Sequence, residues 1–471
     1  MLMATQHPDS TRYVPASEEV EDAINAFSRY LCDEVMVDYE GKLTPYHQPE
    51  WIVERCRALG IDLGYRRLIT VRIPNDRLED VSRHMHSLLT VFLTNARAAR
   101  LGLPPPICYV VLPMFENPLH ASSIQRRLIK LQMVVEEEVG VRIATTPTVI
   151  PLLEDTSRHL RAGAIAEAFR VSLIKNVGMH VEEMRIFLGK SDAALESGHL
   201  ASTVSMAVAL SSLSRWSEEE GIAVYPILGV GKPPFRGFLE PRYVDLWVST
   251  WSGYRTVTIQ SALRYDTPYD LYLETVQKLI DGSRRRATVL DIDLEKKLRE
   301  TVARCREIYR ARLGLVIDVV RTIAANMPRT RDRLPPTSYG RGEGLPRAIT
   351  FTATCYTVGI PPTILDLEAL SKEWRIVSEL PHLEYLVQSY RYDMSYLSEE
   401  IASLWIPRDT VAKLVEVVKH VGRELGLEPS MGVEEEYWKV LRKAWEALEN
   451  GRVEEFRSLV LEAAKIRGYL G

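Results

Sequence analysis

Cysteine is scarce in this chain: five residues, Cys32, Cys56, Cys108, Cys305 and Cys355, lie far apart and form no CxxC pair. That spacing excludes a disulfide framework and a cysteine zinc site, and it predicts buried thiols in a reducing, cytoplasmic setting. Charge of one sign is also missing. The 59 basic and 63 acidic side chains leave a net charge of −4, which offers no general attraction to nucleic acid or to an anionic membrane. No long apolar core follows the N-terminal MLMATQHPDSTRYV, so no signal peptide is expected and the mature chain is expected to start near residue 1. The longest uncharged stretch, Ala348 to Leu365, approaches membrane-spanning length, but its threonines and the pair Pro361-Pro362 predict a buried strand followed by a turn instead. Phosphate-binding glycine motifs are absent as well. LGVGKPPFRG, Leu228 to Gly237, contains neither a P-loop nor GxGxxG, although its main chain and Arg236 suit an oxyanion.

Against these absences stand 471 residues, 46% of them hydrophobic and 26% charged, enough for a large globular core. Short β-branched apolar runs recur along the chain. They are Glu34 to Glu40, Leu68 to Pro74, Ile107 to Met114, Thr148 to Glu154, Met184 to Asp192, Ala223 to Gly231, Thr256 to Leu263 and Ala348 to Cys355. The first seven are spaced at roughly 33 to 40 residues, the length of a strand, a loop and a helix. Eight such units predict a closed (β/α)8 barrel of the TIM type, with a doubly wound open sheet as the alternative. Residues 266–327 read as a helical insertion before the last strand, a candidate lid or assembly surface. The expected organisation is a catalytic barrel over 1–362, insertion included, and a C-terminal all-α extension over 363–471.

In such a barrel the strand ends carry the chemistry. Here they carry Asp38, Glu40, Arg72, Glu116, Glu154, Asp155, Lys190, Asp192, Arg236, Gln260 and Arg264, with Arg347 ahead of the last predicted strand. Glu154 and Asp192 follow adjacent predicted strands and form the candidate metal pair, because Mg²⁺ takes one or two carboxylates together with substrate oxygens. Converging guanidinium groups match carboxylate or phosphate bidentately. Metal and arginines together point to a phosphorylated carboxylic acid. His84 and His86 face different directions on a predicted helix and read as structural, while His159 and His199 lack ligand spacing but stand near the proposed metal residues. His7 differs, since Pro8 stiffens the segment around an imidazole suited to general-base work.

The motifs ATQHPDSTR, VMVDYEGKLTP, VRIPN, VVLPMFE, IPLLED, FLGKSDAALESGH, PPFRGFL, TIQSALRYD and SYGRGEGLPRAITF occur in that order. In this the chain resembles phosphoenolpyruvate carboxylase of the shorter archaeal type. The resemblance implies a barrel enzyme that joins phosphoenolpyruvate and bicarbonate into oxaloacetate and phosphate, with Mg²⁺ or Mn²⁺ and as a homotetramer. It also implies catalytic roles for His7, Arg72 and Arg236 and places Arg341 and Arg347 in a segment similar to a substrate-binding one; Lys190 is a further catalytic candidate, and Arg12, Gln260 and Arg264 are candidate substrate contacts. Glu154 and Asp192 match the metal ligands. The chain departs from the longer enzymes at Leu228, Val230 and Leu195, where they carry a histidine, an arginine and a lysine, and Lys190 or Lys232 is the candidate source of the missing positive charge. The alternatives are a Mg²⁺-dependent barrel lyase or aldolase acting on a 2-oxo acid, and a non-catalytic metabolite-binding module.

Overall fold

The computed structural model describes residues 1–5, 15, 18–329 and 344–471. Eight parallel strands close into a barrel in chain order: β1 Leu2–Thr5, β2 Glu34–Asp38, β3 Leu68–Arg72, β4 Tyr109–Leu112, β5 Thr148–Leu153, β6 Glu183–Gly189, β7 Ala223–Gly229 and β8 Thr256–Ile259. β1 closes the ring by pairing with β2 on one side and with β8 on the other, Leu2 opposite Val257 and Ala4 opposite Ile259.

The expected count of eight holds, but one strand is a different segment. Ala348–Thr357, expected to be the last strand, is a ten-residue helix buried on nearly all sides. An uncharged run rich in threonine does not separate a buried strand from a buried helix by periodicity. The eighth strand is instead β1, four residues of LeuMetAlaThr whose weak strand preference is overridden by neighbours on both edges. The helices of 266–327 therefore follow the last strand and are no insertion before it. Among the described residues, everything after Ile259 is helical or loop, down to the final helix Val453–Arg467.

Local chemistry explains the joints. The Asp80 carboxylate accepts from Ser82 N at the start of helix Val81–Arg100, and Asn117 does the same for His120 N ahead of Pro118–Val139, satisfying donors that a helix start leaves open. Inside the barrel Met3, Met36, Val111, Ile150, Leu152, Phe187 and Ile227 pack together, each large side chain contributing about 1.5–3 kcal/mol. At the N-terminal end of the strands Arg185 crosses to Glu34 through Nη1–Oε1 of 2.9 Å and Nη2–Oε2 of 2.8 Å.

The C-terminal helices are tied to the barrel by buried polar contacts. The Asp366 carboxylate accepts from Leu200 N at 2.8 Å and from Tyr390 OH at 2.9 Å, and His199 Nε2 meets Ser389 Oγ at 2.7 Å. A Cβ at Gly198, which has φ +90, would stand 2.5 Å from Asp366 Oδ2, so this approach requires glycine. Arg467 lies over the Tyr356 ring at 4.2 Å and donates to Tyr437 OH at 2.7 Å and to Leu470 O at 2.9 Å. These contacts fix the last residues of the chain against the other C-terminal helices.

Candidate active site

The C-terminal strand ends form the mouth of the barrel. β2 ends on Asp38 and β3 on Arg72, which are register partners. Arg72 donates to Asp38 through Nε at 2.7 Å and Nη2 at 2.6 Å, and its Nη1 lies 3.0 Å from Glu40 Oε2. Lys42 also pairs with Asp38. Burial works against the Arg72 charge, but Asp38 and Glu40 outweigh it, with Glu154 adding to the same field, and the guanidinium is held well above its ordinary value. Burial likewise disfavours the Asp38 carboxylate, and Arg72 and Lys42 reverse that, holding its pKa well below the usual range.

Glu154 follows β5 directly and is 9% exposed. Its Oε2 accepts from Met114 N at 2.8 Å. On the neighbouring strand, a Cβ at Gly189 would come within 3.3 Å of Glu154 Cγ, so the glycine keeps the carboxyl stem seated against β6. One turn on, Asp192 stands in the first turn of helix Lys190–Ser197. Arg236 enters from the short turn Pro234–Arg236 after β7. Its Nε donates to Ser191 Oγ at 3.0 Å, its Nη2 to Gln260 Oε1 at 2.9 Å and its Nη1 to the main-chain oxygen of Gly471. Burial lowers the Arg236 pKa to about 10, with Asp192 opposing; the group stays cationic at neutral pH but is poorly compensated.

The structure thus gathers Glu154, Asp192, Arg236 and Gln260 with Arg72 at one mouth. Other expected site residues pair with groups outside that set. Lys190 Nζ donates to His199 O at 3.1 Å and to Ser202 Oγ, on the side of helix His199–Glu220. Burial lowers the Lys190 pKa to about 7 against the field of Asp366. Lys232 Nζ donates to Gly468 O at 3.0 Å and faces Glu240 at 3.7 Å. Arg264 pairs with Asp22 at 3.1 Å and donates to Thr5 O at 3.0 Å. Arg347 heads helix Ala348–Thr357, whose Ile349 O and Ala353 N crowd Gly471. His159 is buried, with Nε2 2.9 Å from Leu153 O, and His199 faces Ser389, in agreement with structural roles. His7, Arg12 and Arg341 lie outside the described residues.

Among the described residues no group of three or more His, Cys, Asp or Glu side chains gathers in metal-ligand fashion. Glu154 and Asp192 are oxygen donors that follow adjacent strands, a donor type that fits a hard cation completed by water and substrate oxygens and does not fit a histidine or cysteine zinc site. Three site features escaped sequence reasoning. Ser191 carries Arg236, Gly471 reaches it from 235 positions away, and Asn75 and Met114 stand behind Glu154.

The model of the phosphoenolpyruvate carboxylase family matches residues 1–471. The chain belongs to the phosphoenolpyruvate carboxylase family. A phosphoenolpyruvate carboxylase of Thermofilum pendens is 38% identical across the whole chain and 99% of its own length. One from Pyrobaculum calidifontis is 38% identical over 91% of this chain and 94% of its own, and one from Methanopyrus kandleri 29% identical over 100% and 98%. Family membership makes this an enzyme of the carboxylase type, so the mouth just described is its candidate active site. Among the described residues no single helix is long and apolar enough to cross a membrane.

Proposed function

We propose that this chain carboxylates phosphoenolpyruvate with bicarbonate to give oxaloacetate and inorganic phosphate. The observation that carries the reading is the meeting of Glu154, Asp192 and the poorly compensated guanidinium of Arg236 at one barrel mouth, in a chain that belongs to this family over its full length. Glu154 and Asp192 would hold Mg²⁺ or Mn²⁺, which when bound supplies Lewis-acid polarisation of the substrate oxygens. Arg72 and Arg236 hold the anionic groups of the two reactants in place, with Gln260 orienting Arg236. A bicarbonate oxygen attacks phosphorus while the bond from phosphorus to the enol oxygen breaks, giving carboxyphosphate and the enolate of pyruvate. His7 takes the proton from the carboxyl group of carboxyphosphate. The C–O bond to phosphate then breaks, and the enolate methylene carbon forms its bond to the released CO₂. Water must be excluded, since protonation of the enolate would end the reaction at pyruvate.

Oxaloacetate formation from phosphoenolpyruvate, followed with and without bicarbonate and Mg²⁺, tests this. Dependence on both is expected; turnover of a 2-oxo acid that ignores bicarbonate would replace the reading with a barrel lyase. His7→Asn is expected to keep phosphate release measurable while oxaloacetate falls by roughly 100-fold or more, and an unimpaired variant removes His7 from the mechanism. The same reading includes a cytoplasmic homotetramer, for which light scattering should give four times the 53.6 kDa chain.

A further inference from the structure

Asn75 is 2% exposed and lies beyond the end of β3, three residues after Arg72. Its Nδ2 donates to Pro113 O at 3.0 Å, with Met114 O farther at 3.4 Å. Its Oδ1 accepts from Arg77 N at 3.0 Å. With a donor on one side and carbonyls on the other, the amide has one orientation that satisfies both.

Pro113 O and Met114 N belong to the same peptide group. In a trans peptide the C=O and N–H point in opposite directions within one plane. Asn75 holds the oxygen end of that plane, and Glu154 Oε2 takes the hydrogen at the other end, at 2.8 Å. Met114 has φ +48, a backbone conformation that is unfavourable for a non-glycine residue and persists only where its surroundings impose it. The tilt of this peptide plane, held by Asn75, therefore sets the direction from which Glu154 Oε2 receives the Met114 N–H.

We propose that Asn75 is a positioning residue for Glu154: it acts through the Pro113–Met114 peptide to hold the carboxylate in its cation-binding orientation. The proposal rests on the reading of Glu154 as a metal ligand. Groups that orient a ligand in this way change metal affinity by roughly 10- to 100-fold when removed. Asn75→Asp keeps the size of the side chain but turns an acceptor-only carboxylate toward two carbonyl oxygens. It should tip the peptide away, whereas loss of packing alone would be small.

The experiment is titration of the whole protein with Mn²⁺ in the absence of substrates, with unbound Mn²⁺ counted by electron paramagnetic resonance. Asn75→Asp and Asn75→Ser are each expected to weaken Mn²⁺ binding by roughly 10-fold or more, with kcat falling at saturating metal less than the Mn²⁺ affinity does. Should the aspartate variant be insoluble, the smaller serine variant carries the test. Glu154→Gln is measured beside them. If it loses Mn²⁺ binding while both folded Asn75 variants bind as the unaltered protein does, the inference is overturned and the ligand reading stands. If Glu154→Gln binds Mn²⁺ normally, the ligand reading itself fails and the inference falls with it.

Discussion

At the N-terminal end of the barrel Arg185 meets a carboxylate, Glu34, in two hydrogen bonds with Thr256 Oγ1 alongside at 3.2 Å, whereas at the C-terminal end Arg236 meets a serine hydroxyl, a glutamine carbonyl and a main-chain oxygen. Both guanidinium groups are buried. Burial opposes the charge of each, but Glu34 outweighs it and Arg185 is held above its ordinary value, while Arg236, opposed only in part by Asp192, falls to about 10. The first arrangement is complete by itself and stabilises the barrel floor, with Arg185 also lying 4.5 Å from the centre of the Tyr109 ring. The second is positively charged and better satisfied once an anion arrives. Both arginines are buried, so burial does not distinguish floor from mouth; for this pair the matching carboxylate does.

Breaking the complete pair should give the largest effect. Glu34→Gln leaves Arg185 buried without its carboxylate and is expected to cost about 3–5 kcal/mol of stability, read by denaturant unfolding, with kcat/KM of the folded fraction little changed. Arg236→Gln should behave in the opposite way. Its kcat/KM is expected to fall roughly 100- to 1,000-fold with unfolding close to that of the unaltered protein, because its side-chain hydrogen-bond partners, Ser191 and Gln260, carry no charge that the substitution would strand. If the two variants exchanged these outcomes, the contrast between floor and mouth would be wrong.

Buried histidines extend the comparison to bases that have no carboxylate. His382 packs edge-on to Trp251 at 4.8 Å, and burial lowers its pKa to about 4; His159 falls to about 4 for the same reason, against the pull of Leu153 O. Each is neutral in the folded protein and takes up a proton near pH 6.5 when unfolded. The unfolded chain therefore binds more protons, and stability should decline as pH falls from about 6.5 towards 4, by up to about 3 kcal/mol per histidine. His382→Gln should flatten that acid limb in urea unfolding at pH 7, 6 and 5, and an unchanged slope would show that His382 titrates normally.

Much of this was legible in advance, for reasons that differ by element. Seven strands are β-branched runs bounded by turn residues, and a strand end places a side chain at the mouth whatever the detail, so position along the chain alone puts Glu154, Asp192, Arg72 and Arg236 there. β1 is too short and too poor in β-branched residues to announce itself, and Ala348–Thr357 has the composition of a strand and the structure of a helix. What was not legible depends on orientation or on distance along the chain. Gly471 reaches Arg236 only because the C-terminal helices fold back, and Asn75 reaches Glu154 only through the tilt of one peptide.

Lys190 gives the smallest effect and the sharpest discrimination. It directly follows β6, two residues before Asp192, so position along the strand suggests a catalytic cation. Its ammonium instead donates to His199 O and Ser202 Oγ beside helix His199–Glu220. Of these two acceptors, His199 O keeps other donors, Ser202 Oγ at 3.0 Å and Thr203 Oγ1 at 2.8 Å, and Ser202 Oγ keeps its own hydrogen bond to Gly198 O at 2.6 Å. Lys190→Met therefore removes a costly buried charge and leaves neither oxygen without a hydrogen bond, so stability should change by no more than about 1 kcal/mol. Burial also raises the nearby Asp366 carboxyl to about 7, against hydrogen bonds from Leu200 N and Tyr390 and the field of Lys190; loss of the lysine shifts it further towards the neutral form, which lessens the need for a counter-charge. If the lysine serves packing, kcat/KM should stay within roughly threefold, less than about 1 kcal/mol. A hundredfold loss in a variant of unchanged stability would instead make Lys190 a mouth residue whose ammonium turns towards Asp192 during turnover, and the division between compensated and uncompensated cations would have to admit one that changes sides.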